Sequence, residues 1–217
     1  MTSASESALD TVLERSRSLR FIGPGSVRVH ADHARGFAAG LDAAPARFLD
    51  LGSGGGVPGL VLAGLWPDTR AVLLDASAKR CAFLAEAIDE LGYTGRVTVV
   101  RARAEDGGRR EDLRGTFDLV VSRGFGPPPV TAECGAPFLQ LGGTMVVSEP
   151  PAAPDGDPSS DAVAAGARWP DDGLARFGLR AERAWSDPFH YRSFVLEHPC
   201  PEEYPRRDGV PAKHPLF

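Results

Sequence analysis

The residues best suited to chemistry lie in one short run, Asp50-Leu51-Gly52-Ser53-Gly54-Gly55-Gly56. An acid closes an apolar stretch and glycines follow at alternate positions. Glycine admits positive φ and lets a ligand approach the backbone closely. Such a loop between strand and helix binds a nucleotide-like ligand at the C-terminal edge of a sheet. Two ligand classes compete for it. The dinucleotide spacing G-x-G-x-x-G is met by Gly54, Gly56 and Gly59, but it begins three residues past Leu51, and alone it is a weak signal. A dinucleotide also sets its pyrophosphate on the helix N-terminus, where Asp50 would oppose it. S-adenosylmethionine carries a sulfonium and an ammonium and no phosphate, so an acid beside the loop suits it. The D-x-G-x-G-x-G pattern therefore favours the methyl donor. The bland alternative is a turn that binds nothing, in which five glycines within residues 52 to 59 cost chain entropy without use.

Asp75 stands 19 residues past Gly56, the place for a carboxylate that accepts both ribose hydroxyls. A helix cap or turn acid is its plainer reading. Ala104-Glu105 follows the third predicted strand and can meet an adenine edge, or simply open a short solvated helix. Arg123 ends the fourth strand, where a guanidinium can hold a phosphate or a base edge. Its plainer reading is an ion pair with Asp118 or Glu105. His30, His33 and His190 show no metal-ligand partners and read as solvated or capping groups. Cys81, Cys134 and Cys200 are too few and too scattered for a disulfide framework or a zinc site, and they read as structural or incidental.

The elements that must position these groups follow from periodicity and punctuation. Helices are predicted over 7–20 and 30–42, the second ended by Gly40 and the Pro45 region. Arg47 to Leu51 reads as a buried strand, and Pro58 sits just inside the next helix, which ends near Trp66-Pro67. Ala71 to Leu74 is a second strand. Ser77 caps a helix whose periodic part is Arg80, Phe83, Leu84, Ala87, Ile88 and Leu91, with Gly92 as its stop. Strands follow at Arg96 to Val100 and Phe117 to Val121, then a helix over 128–141 and a strand from Gly143 to Val147. Strands alternating with helices predict an α/β fold, a parallel sheet covered on both faces. Residues 148–166 hold four prolines, four acids and no Lys or Arg, and read as a loop or disordered segment. Leu179 to Trp185 and Tyr191 to Glu197 read as an antiparallel hairpin, before a proline-punctuated tail.

The chain has 217 residues and a formal net charge of −5. A mildly acidic chain is a poor prior for non-specific nucleic-acid binding, although a local basic groove stays open. No apolar stretch approaches a membrane span, and residues 1–10 lack the basic and apolar regions of a signal peptide. The reading is a cytoplasmic protein that does not engage membranes. It divides into an N-terminal helical region (1–45), a donor-binding half (46–147), the acidic loop (148–166) and a C-terminal hairpin and tail (167–217).

Phe48-Leu-Asp-Leu-Gly-Ser-Gly-Gly-Gly-Val-Pro-Gly59 resembles the first motif of the glucose-inhibited division protein B family, bacterial 16S ribosomal RNA guanine-N7 methyltransferases. Its Val57-Pro58-Gly59 ending is more distinctive than the glycines. Asp75-Ala-Ser-Ala-Lys79-Arg80 with Phe83-Leu84, Arg103-Ala104-Glu105, and Phe117-Asp-Leu-Val-Val-Ser-Arg123-Gly-Phe125 fit its later motifs in order. Tyr204-Pro-Arg-Arg207, Val210-Pro-Ala-Lys213 and Pro215-Leu216 resemble its tail. The resemblance implies the seven-stranded class I S-adenosylmethionine-dependent methyltransferase (Rossmann-like) fold with N-terminal helices. It implies S-adenosyl-L-methionine held by Gly52, Val57, Ala104, Glu105 and Arg123, with Asp75 joining them on the general class I pattern; Asp50 and Gly54 join them from the reading of the acid-and-glycine loop itself. The implied partner is 16S rRNA or the small ribosomal subunit. Where the family usually has Leu-Lys-Gly after the fifth strand, this chain has Val147-Ser148-Glu149, and it has no asparagine. Guanine N7 carries a free lone pair, so proximity alone can drive its methylation and no catalytic side chain is named. Rival readings are a small-molecule methyltransferase, a non-catalytic RNA- or ribosome-associated protein with a retained donor loop, and an NAD-dependent reductase.

Overall fold

Five residues, Arg47–Leu51, form the central strand β1, buried along nearly its whole length. Successive side chains of a strand face opposite ways. Phe48 accordingly packs into one apolar layer and Leu49 into the other. The same division separates Leu73 from Leu74 on β2 (Arg70–Asp75) and Val121 from Val120 on β4 (Phe117–Ser122). Strands buried on both faces are what a helix-covered parallel sheet requires.

This is a computed structural model, and it describes residues 3–150, 168–186 and 188–217. Its seven strands run in the order β3-β2-β1-β4-β5-β7-β6. Besides β1, β2 and β4 they are β3 (Val97–Arg101), β5 (Leu139–Glu149), β6 (Leu179–Ser186) and β7 (His190–Leu196). The first five pair in parallel, while β7 runs antiparallel to both β5 and β6. The sheet is seven-stranded and mostly parallel, as the resemblance implies, and the predicted hairpin is present.

Helices α1 (Ser3–Ser18), α2 (Val27–Ala39), α3 (Gly59–Leu65) and α4 (Ala78–Glu90) cover one face. The helix α5 (Ala104–Gly107), α6 (Pro128–Gly135), α7 (Asp171–Ala175) and the C-terminal tail with α8 (Val210–Lys213) cover the other. Ser77 caps α4, its side chain accepting the Arg80 N–H at 3.4 Å. The α4 residues Cys81, Phe83, Leu84, Ala87 and Ile88 bury one stripe at helical spacing. Helix α2 starts earlier than its periodicity predicts, at the Ser26 cap, and its C-cap is Gly40.

The helix expected over 128–141 is the largest misreading. It ends at Gly135, passes through a short 3-10 turn at Ala136–Phe138, and Leu139 already pairs with Phe117. The apolar run 136–141 belongs partly to a strand, and periodicity over so short a run cannot separate the two. Strand β5 also continues through Ser148 and Glu149, the first residues of the expected acidic loop. Residues 151–166 of that loop lie outside the described residues. The tail, without periodicity in sequence, folds into turns and the one-turn helix α8.

Candidate functional site

Chain order turns back between β1 and β4, so the crevice at their C-terminal ends is where an α/β sheet binds ligands. A cleft of about 330 Å³ opens there. Its wall comes from the loops after four strands: Gly52 after β1, Asp75 and Ala76 at β2, Ala102 to Glu105 after β3, and Gly124 to Pro127 after β4. That volume lies at the small end of small-molecule sites.

The glycine loop is fastened to β2, since the N–H groups of Gly52 and Ser53 both donate to the Leu74 carbonyl at 2.9 Å. Gly52 has φ +73°, and a Cβ there would come within 2.7 Å of Phe125. The other glycines mostly answer to packing. A side chain at Gly55 would collide with Ser16 of α1, whose hydroxyl donates to the Gly55 carbonyl at 2.9 Å. One at Gly56 would meet Leu60, and one at Gly59 would meet Leu73 and Asp50. The premise that unliganded glycines are without use therefore fails here: three of the five let helices close over the loop.

Asp50 lies beneath this loop, 1% exposed. Its Oδ2 accepts the Gly59 N–H at 2.9 Å, and its Oδ1 is buried without a hydrogen-bond partner among the described residues. Burial pushes its carboxyl up to about 7, against the lowering effect of the Gly59 bond. Asp75 forms the cleft floor. Its Oδ2 accepts from Gly54 N at 2.9 Å, its Oδ1 from Ser77 N at 2.8 Å, and Arg80 stands 3.6 Å from Oδ2. A carboxylate offers about four lone-pair sites, so both oxygens retain capacity for a diol. The helix-cap role belongs to Ser77, and Asp75 orders the turn before it.

Glu105 is 4% exposed, so it is not a solvated acid. Its Oε1 accepts the Gly209 N–H at 3.0 Å and faces Arg103 at 3.2 Å. The carboxylate thus ties down the tail, while Ala104 and Glu105 still line the cleft. Neither expected ion pair of Arg123 forms: Asp118 accepts from the Arg47 N–H and from Gln140, and Glu105 faces the tail. Arg123 instead donates to His30 Nδ1 at 3.3 Å, and burial lowers its pKa. Of the expected donor-site residues, Gly52, Asp75, Ala104 and Glu105 are on the cleft wall. Gly54 holds Asp75 in place, Val57 is buried in the core, and Asp50 and Arg123 stand behind the loop ends.

His33, read as a solvated or capping group, is instead part of an aromatic stack. His33 stacks on Phe189 with ring centroids 4.3 Å apart, and its pKa is pushed down to about 4, chiefly by burial and then by Arg123 and His30. Arg206, in the tail motif, is spent inside the molecule. Its Nε and Nη2 donate to Glu133 at 2.9 and 2.7 Å, and Glu133 is 1% exposed. Glu149, in the stretch where the family usually has Leu-Lys-Gly, accepts the Trp169 indole N–H at 2.8 Å and faces Arg168 at 3.4 Å. Sequence reasoning missed Ala212, which the returning tail brings to the cleft wall; no local signal marks such a contact. Burial raises the pKa of all three thiols, Cys200 to about 12. No group of His, Cys, Asp and Glu among the described residues is arranged to hold a metal ion. No helix among them is long and apolar enough to cross a membrane.

The strand order and the cleft at its turning point define a class I S-adenosylmethionine-dependent methyltransferase. Solved structures share that fold. The cofactor-bound Rv0187 protein from MTB aligns with a TM-score of 0.58 and 20% identity over 88% of this chain and 90% of its own. A geranyl diphosphate methyltransferase in complex with GPP and sinefungin gives 0.59 and 14% over 78% and 79%. The chain belongs to the rRNA small subunit methyltransferase G family, whose model matches residues 36–149. It is 36% identical over 178 residues to the ribosomal RNA small subunit methyltransferase G of Moorella thermoacetica, spanning 79% of this chain and 70% of that one. With the protein of the same name from Prochlorococcus marinus MIT 9313 the identity is 36% over 172 residues, 79% and 68% of the two chains.

Proposed function

We propose that this chain methylates N7 of a guanine in 16S ribosomal RNA, acting in the cytoplasm as one methyltransferase domain. The observation that carries the donor half is Asp75, held by two backbone N–H groups at the foot of the cleft with acceptor capacity to spare. Asp75 takes the ribose hydroxyls of S-adenosyl-L-methionine. Gly52 lets the ligand pass close to the backbone. Ala104 and Glu105 flank the adenine. Arg123 and Asp50 face the amino-acid end, with Gly54 and Val57 shaping the loop between. Family membership supports the acceptor half.

The donor, when bound, supplies a methyl group activated by a sulfonium. The guanine N7 lone pair forms the new N–C bond as the C–S bond breaks, and its electron pair stays on sulfur. S-adenosylhomocysteine leaves and the base gains the positive charge. No proton moves, so the protein's task is alignment and exclusion of water.

Calorimetry with S-adenosylmethionine should show binding that Asp75→Ala weakens at least tenfold, with NADH as the control ligand. Radiolabelled methyl should then pass to small ribosomal subunits and map to a guanine. Donor binding without transfer to any RNA would move the reading to a small-molecule acceptor. NADH binding in place of the donor would overturn it.

A further inference from the structure

Arg123 is a half-buried cation with donors to spare. A guanidinium carries five N–H groups, and the side-chain hydrogen bond it makes among the described residues is the one to His30 Nδ1, at 3.3 Å. It forms no ion pair with a described carboxylate. Asp50 and Arg123 feel each other's charge without pairing, and Asp50 Oδ1 is also unpartnered. Neither residue lines the cleft. Asp50 lies in β1 and Arg123 follows β4, the strands whose loops do line it. An acid and a base held apart there complement a zwitterion, the amino-acid end of the donor.

What keeps Arg123 in place comes from another part of the chain. His30 Nε2 lies 3.0 Å from the Gly23 carbonyl, in the loop before α2. A carbonyl only accepts and a guanidinium only donates, so the two partners fix the ring. Nε2 carries the proton and Nδ1 carries the lone pair. A protonated ring would lose its acceptor and set two cations 3.3 Å apart.

We propose that His30, as the neutral Nε2–H tautomer, is a positioning residue that aims Arg123 at the donor's carboxylate. The inference rests on the donor-binding reading above. It makes α2 part of the site although α2 does not line the cleft.

The test compares S-adenosylmethionine with decarboxylated S-adenosylmethionine by calorimetry. His30→Ala should weaken the first about tenfold, the size of a hydrogen bond to a charged group, and leave the second unchanged. His30→Asn, whose Oδ1 falls near the place of Nδ1, should restore most of the loss. In an Arg123→Ala background His30→Ala should cost nothing further. Equal loss for both ligands, no loss, or a full extra loss without Arg123 each overturn the proposal. Nitrogen NMR of the unliganded protein reads the ring directly and needs no variant: an Nδ1–H ring or an imidazolium at neutral pH also overturns it. If the wild-type protein binds neither ligand, the donor reading falls and takes this inference with it.

Discussion

A buried carboxylate with one unpartnered oxygen is costly when charged, and Asp50 is such a group. Its folded pKa, pushed up to about 7 by burial, lies above the ordinary carboxyl value of 3.8. The folded state therefore holds the proton more tightly, and the resulting stability is present at low pH and lost as pH rises from about 4 through 7. Asp50→Asn removes that loss while its carbonyl keeps the Gly59 bond. The variant should gain over wild type progressively across that window, by up to about 4 kcal/mol at pH 8, and should bind the donor more weakly. Urea melts at pH 5 and pH 8 measure the gain, and a constant offset between the two proteins contradicts it. Gly55 gives a prediction of opposite sign. A methyl group there runs into Ser16, Ile22 and the Phe21 backbone. Gly55→Ala should cost about 1–3 kcal/mol in the same melts, whereas Gly124→Ala, with open space around it, should suffer only from its positive φ of 64°.

At the scale of elements, the tail after β7 is a strap fastened by arginines. Arg114 donates to the carbonyls of Cys200, Pro201 and Tyr204, and Arg109 to that of Pro205. Among the ion pairs of the described residues, Arg206–Glu133 has the least exposed carboxylate, at 1%. Removing one partner of a buried pair leaves the other charge uncompensated, at about 3–5 kcal/mol. Arg206→Ala should therefore lower stability by that order and weaken donor binding through Gly209 and Ala212. Arg17→Ala, which breaks an exposed pair with Glu14 on α1, should change stability by under about 0.5 kcal/mol. Equal effects in thermal melts would show that the strap is not held as described. Legibility followed the range of the contacts. The strands around Asp50, Asp75 and Arg123 were readable because apolar runs and glycine stops are local. The Ser77 cap and the hairpin were readable for the same reason. The strap, the bond between Arg123 and His30, and the burial of Glu105 join residues tens of positions apart. No periodicity records such pairings.

At the scale of the whole molecule, a chain of net charge −5 must still approach a polyanion. The structure eases this by where it spends its cations. Arg15, Arg35, Arg110, Arg180 and Arg183 are paired with acids. Arg20 and Arg28 before and within α2, and Arg207 and Lys213 on the strap, are exposed and make no ion pair among the described residues. Those on the strap flank Ala212 at the cleft, so they stand where an RNA backbone would pass if its base entered. Phosphate contacts release counterions, and each adds close to one unit to the salt dependence of binding. The double variant Arg207→Glu with Lys213→Glu should raise KM for the small ribosomal subunit several-fold, reduce the salt slope by roughly 1 to 2, and leave donor affinity at the wild-type value. A fall in donor affinity instead would mean that these residues serve the strap. An unchanged KM and slope would place the RNA path on another face, with Arg20 and Arg28 the next pair to reverse.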